Sequence, residues 1–225
     1  MNSFSKKQII STLIIKCIVI ISVIVGVILS ILAISSFMDG STEFMYFTIQ
    51  SNIAVAIVEL IGLILILTKR KISYAWYVIK LVATVSITLT GTVFCFVLAP
   101  TMSYNAWTPN NIFTHVVVPI ATIIDFFVIC VNCKYRRIDV LYVVIPPLLY
   151  VVYAGIGYAA NWKFSNNANY PYFFLNWGSK AGAFGFSSDL PFIGVVWWII
   201  LLLGLLIGVG NLYLFILSKL SKNND

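Results

Sequence analysis

Six long apolar runs limit this chain more than anything else in it. Residues 9–37, 44–68, 73–99, 111–131, 139–160 and 190–218 are each long enough to cross a hydrocarbon core of about 30 Å, which takes about 20 helical residues. No other stretch qualifies. Lipid cannot hydrogen-bond a bare backbone, so runs of this kind are helices. The expected fold is all-α, with six transmembrane helices in one domain over residues 1–225. With 61% hydrophobic and 9% charged residues, the composition excludes an ordinary soluble domain. Tyr46, Tyr74, Trp76, Tyr104, Trp107, Trp197 and Trp198 fall near the ends of the runs, where amphipathic rings form interfacial belts.

The net charge of +7 has to be read loop by loop. Lys6, Lys7, Lys69, Arg70, Lys71, Lys134, Arg136, Arg137, Lys219 and Lys222 fall on one side of the membrane, and only Lys163 and Lys180 on the other. The positive-inside rule therefore puts both termini in the cytoplasm. The expected location is a multi-pass position in a membrane, the cell membrane if the chain is bacterial, with no nucleic-acid partner. The first run is about twice the length of a signal-peptide core of about 7–15 residues, so it is expected to stay as an anchor despite the small residues at Ala33-Ile34-Ser35.

Against this background the polar residues stand out. Tyr46-Phe47-Thr48-Ile49-Gln50-Ser51-Asn52 opens the second run with hydroxyls and amides, and on a helix Thr48, Asn52 and Glu59 stack as one polar stripe. The fourth run carries His115, the single histidine of the chain, four residues before Pro119. That proline removes the amide that would bond the His115 carbonyl, so it should kink the helix there. Thr48 lies four residues past Phe44 and His115 four past Asn111, so both sit about 6 Å into the membrane from the outer face. A hydroxyl beside an imidazole is the minimal pair for nucleophilic acyl transfer. Asn52, one turn deeper, is placed to donate to an oxyanion, and Asn111 to fix the histidine tautomer. The plain alternative is a histidine bonded to a helix hydroxyl for packing alone.

A second set is charged. Lys16, Glu59, Lys80 and Asp125 each lie about nine or ten residues from the cytoplasmic basic rim, hence about 13–15 Å deep. Unpaired, each costs about 2.5–3.5 kcal/mol in mid-membrane, so a cluster of two acids and two lysines is expected. It is either structural pairing or an ion relay.

The remaining features read as architecture. The hydroxyls of Thr84, Ser86, Thr88, Thr90 and Thr92 are expected to bond back to their own helix. Thr108-Pro109 suits a helix start, Pro146-Pro147 a break in the fifth run, and Gly204-x-x-x-Gly208 a close helix approach. Residues 161–189 form the one long loop, on the outer side, and suit a lid over an outward-facing cavity. Cys17, Cys95, Cys130 and Cys133 lack the partners of a zinc site, and no motif calls for a metal or cofactor.

Phe47-Thr48-Ile49 opening the second helix, His115 followed ten residues later by Asp125, and Tyr170-Pro171 with Phe174-Leu175 in the last outer loop resemble the androgen-induced protein family of six-helix membrane proteins and its bacterial relatives. The resemblance implies an intramembrane threonine hydrolase acting on fatty acid esters of hydroxy fatty acids, with one essential threonine and one essential histidine, here Thr48 and His115. The acidic residue that shortly follows the threonine in animal members is replaced by Ser51 or Asn52, and the proline after the histidine is one residue closer. The expected function is thus a lipid ester hydrolase with a lipid or fatty-acyl substrate. The alternative is a small transporter or lipid-binding protein that uses the Lys16, Glu59, Lys80 and Asp125 layer.

Overall fold

The computed structural model describes residues 4–32 and 40–222. The end of the first apolar run, the Ala33-Ile34-Ser35 segment and the start of the turn after it lie outside the described residues. Six helices are long and apolar enough to cross a membrane: α1 (Lys6–Leu32), α2 (Phe47–Leu67), α3 (Tyr74–Thr101), α4 (Pro109–Ile129), α5 (Arg137–Ala159) and α6 (Val195–Lys222). No strand forms among the described residues.

Local chemistry sets where these helices begin and end. Ser5 and Gln8 cap α1 reciprocally: the Gln8 amide donates to the Ser5 hydroxyl at 3.1 Å, and the Ser5 amide to the Gln8 side chain at 2.9 Å. The Ser73 hydroxyl accepts the Trp76 amide at 3.2 Å and starts α3. Lys69 takes a left-handed φ of 53°, which lets the Arg70 amide reach back to the Leu65 carbonyl at 3.0 Å and closes α2. A short 3-10 helix, Gly40–Met45, precedes α2, so Thr48 sits in the first turn of the α-helix rather than one turn inside it.

Three expectations need correction. Pro109 does occupy the first turn of α4, but Thr108 makes no side-chain cap; it lines the outer cavity described below. In α5 the residues Arg137–Val144 wind as 3-10 helix, and Pro146-Pro147 stand at the start of the α-helical part, where their missing amides cost least. Gly204 and Gly208 face open space, with nothing within 4 Å of where a Cβ would stand, so no helix among the described residues approaches there. In addition, α6 begins at Val195 rather than Leu190.

Helix α1 packs against α2 and α4, and α3 packs against α2 and α4, so the first four helices form one bundle. α6 lies against α3 and the 3-10 part of α5, on the far side of α3. The inner four are fastened by charge. Lys16 lies 2.6 Å from Glu59 and 2.7 Å from Asp125; Lys80 lies 2.8 Å from Asp125 and also contacts Glu59. All four side chains are fully buried, and Thr12 adds a hydrogen bond to Asp125. Each member comes from a different helix, α1 to α4, and the charges sum to zero. This is the expected two-acid, two-lysine layer. Gly62 makes room for it: a Cβ there would stand 2.6 Å from the Trp76 ring and 3.1 Å from the Lys16 ammonium.

Three of the α3 hydroxyls bond back as expected, Thr84 to the Lys80 carbonyl at 2.7 Å, Thr88 to the Thr84 carbonyl at 2.7 Å and Thr90 to the Ser86 carbonyl at 3.3 Å, whereas the buried Ser86 hydroxyl finds no partner among the described residues. Two of them also reach across helices, Thr88 to the Tyr213 hydroxyl at 2.9 Å and Thr90 to Ser51 at 2.9 Å.

Candidate active site

Proline shapes the backbone on both sides of the histidine. Pro119 and Pro100 each lack an amide, and one π-helical turn precedes each of them: Phe113–Val117 in α4 and Phe94–Leu98 in α3. The first holds His115 and the second Phe94, and the two rings stack at 3.9 Å with 20° between their planes. The His115 carbonyl, freed by Pro119, turns toward Gly91, where a Cβ would come within 2.7 Å of it. Glycine at 91 therefore lets α3 and α4 close around the ring.

Thr48 and His115 meet. The Thr48 Oγ1 lies 3.3 Å from His115 Nε2. The tautomer follows from the other nitrogen. Nδ1 is 3.1 Å from the Asn111 carbonyl, which can only accept, so Nδ1 carries the proton. The Thr114 hydroxyl donates to the Asn110 carbonyl at 2.9 Å and so accepts from the same Nδ1 at 3.0 Å. Nε2 is left bare and facing the threonine hydroxyl, the arrangement a general base requires.

Of the two asparagines, Asn52 does not act as expected. Asn52 Nδ2 donates to the Thr48 carbonyl at 2.8 Å and the Thr114 carbonyl at 3.1 Å, so both of its protons are taken and none is left for an oxyanion. It clamps α2 to α4 at the level of Thr48 and His115. Asn111 does fix the tautomer, but through its backbone carbonyl; its side chain donates to the Ala106 carbonyl at 2.9 Å.

One residue outside the expected set joins the pair. Tyr172, from the long outer loop, has its hydroxyl 3.5 Å from Thr48 Oγ1, and the Thr48 amide donates to that hydroxyl at 3.4 Å. The Tyr172 ring is held by Tyr46 at 5.6 Å and by Phe174, stacked at 5.1 Å. Its position in an aromatic loop already read as a lid was the available signal. The loop is folded down onto the bundle, with Phe164, Phe174 and Leu175 buried.

Thr48 stands where two cavities meet. An outer one of about 700 Å³ is lined by His115, Asn111, Tyr104 and Glu43 among others, and an apolar slot of about 70 Å³ runs between Leu89, Pro147, Val151 and Leu202. Thr48, Leu98 and Tyr172 line both. Burial lifts the Glu43 carboxyl to about 7. Lys16, Glu59, Lys80 and Asp125 line neither cavity.

No family model matches the chain, and no curated protein or solved structure does so either.

Proposed function

We propose that the chain is a membrane-embedded hydrolase that cleaves a lipid ester with Thr48 as nucleophile and His115 as general base. The observation that supports this most is the 3.3 Å approach of the Thr48 hydroxyl to the unprotonated ring nitrogen, at the junction of a polar cavity and an apolar slot. Nε2 takes the hydroxyl proton while Oγ1 bonds to the ester carbonyl carbon. The carbonyl oxygen takes the negative charge, and the Tyr172 hydroxyl beside Oγ1 donates to it. Collapse breaks the carbon–oxygen bond to the alcohol, which leaves with the proton from Nε2. Water then gives a proton to Nε2 and its oxygen to the acyl-threonine, and the proton returns to Oγ1 as the fatty acid departs. One ester and one water give one acid and one alcohol.

The fatty acid esters of hydroxy fatty acids implied by the resemblance belong to this class of substrate. Purified protein should react with a fluorophosphonate probe, and the label should vanish in Thr48→Ala and His115→Ala. Undiminished labelling of Thr48→Ala would take the nucleophile role away from it. The transporter reading has less support, because its four charged groups bond to one another and border neither cavity. On the hydrolase reading, proteoliposomes show no proton flux that depends on Glu59.

A further inference from the structure

The two cavities differ in chemistry, and an ester whose carbonyl sits at Thr48 must extend into both. The slot is walled by aliphatic and aromatic side chains of α2, α3, α5, α6 and the outer loop. Apart from the hydroxyl-bearing Thr48, Thr90, Tyr150 and Tyr172 its lining is apolar, which suits an acyl chain better than a head group. The outer cavity is ten times larger by volume, about 700 against about 70 Å³, and its wall carries hydroxyls and amides: Thr101, Tyr104, Thr108, Asn110 and Asn111. The alcohol half of the ester therefore lies there.

The charge of that wall is one-sided. Glu43 lines it, and no lysine or arginine does so among the described residues. The one basic side chain, His115, has its proton already engaged by the Asn111 carbonyl and the Thr114 hydroxyl. A carboxylate or phosphate in this space meets no cation, and desolvating it beside a carboxyl group is unfavourable. Hydroxyls, in contrast, meet the polar side chains of Glu43, Thr101, Tyr104, Thr108 and Asn110 along the wall.

Resting on the hydrolase reading, we propose that the leaving alcohol is a hydroxyl-bearing head group without negative charge, of the glycerol type, held in the outer cavity by Glu43 and the hydroxyl and amide side chains around it, with the acyl chain in the apolar slot. This departs from the substrates implied by the resemblance, whose alcohol half ends in a carboxylate. Above neutral pH the Glu43 carboxylate accepts from a hydroxyl and repels a second carboxylate.

Two non-hydrolysable ethers separate head-group choice from chemistry: the decyl ether of glycerol and the decyl ether of hydroxypropionate. Binding to the full-length protein in nanodiscs above neutral pH should favour the glycerol ether by about tenfold or more. Glu43→Lys should shrink or invert that ratio, and Glu43→Gln should shrink it less. Decanoyl esters of the same two alcohols should follow the same order in kcat/KM. Equal or tighter binding of the carboxylate ether by the unaltered protein overturns the proposal, and so does a ratio unchanged in both Glu43 variants. Thr48-dependent hydrolysis of both esters at one rate keeps the hydrolase and removes the head-group assignment. A clear preference among the ethers with no Thr48-dependent hydrolysis keeps the head-group site and removes the hydrolase.

Discussion

The protein carries two polar clusters inside its membrane bundle, and they are finished in opposite ways. In the layer of Lys16, Glu59, Lys80 and Asp125 each charge meets both opposite charges, no side chain is exposed, and neither cavity reaches it. Around Thr48 and His115 the partners on one side are complete, down to the shared proton on Nδ1. On the other side the threonine hydroxyl opens onto two cavities. The helices differ accordingly, with regular turns through the layer and π-helical turns beside the pair. Saturated polarity in a low-dielectric interior holds helices together, whereas polarity left deliberately short of a partner is available to a ligand.

If that contrast is right, the site should answer to rate measurements and the layer to stability measurements. The largest effect is expected in His115→Ala, which should lower ester turnover by about 10⁴-fold, equivalent to about 5 kcal/mol of barrier, with a smaller loss of thermal midpoint than a break in the charge layer gives. Glu59→Gln should do the reverse. Leaving two buried ammonium groups with one carboxylate should cost about 3–5 kcal/mol, read as a lower unfolding midpoint in detergent, and replacing Glu59 and Lys80 together by leucine should recover most of it. A stable Glu59→Gln variant with lost turnover would erase the distinction between the two regions.

Smaller effects sharpen it. Tyr172→Phe should reduce kcat by about 10²-fold with KM nearly unchanged, because a donor to the oxyanion acts in the transition state. A change confined to KM would make Tyr172 part of the cavity wall only. The smallest effect belongs to Glu43, whose folded-state carboxyl is raised to about 7 from 4.5 by burial. Its contribution to stability is present below about pH 4.5 and is lost as pH rises through about 7, since the unfolded chain ionises first. The thermal midpoint relative to Glu43→Gln should therefore fall between pH 4.5 and pH 8; a difference that stays flat across this window would remove the burial of that carboxyl.

Much of this was legible in the sequence, and the reasons are physical. Spans are long and lipid is intolerant, so the six helices follow from apolar length alone. Charge depth can be counted from the basic rim, so the four-charge layer was visible before any contact was known. Thr48 and His115 could be paired by depth because both lie near the outer ends of their helices. Tyr172 could not, since a residue 124 positions from Thr48 joins it only once the outer loop has folded onto the bundle. The amide of Asn52 looked free in a list of polar residues and is spent on two carbonyls, one of them supplied by α4. Small residues at 204 and 208 specify only that something can come close, not that anything does.

The neutrality of the charge layer has one more consequence. Transferring a single elementary charge across an energised bilayer involves about 2.3 kcal/mol per 100 mV. An electric field pulls Lys16 and Lys80 one way and Glu59 and Asp125 the other, and at hydrogen-bond separations these forces cancel within the same four helices. The layer can thus sit in a polarised membrane with no net force from the voltage, and on the hydrolase reading ester turnover should run at the same speed whether that voltage is present or collapsed.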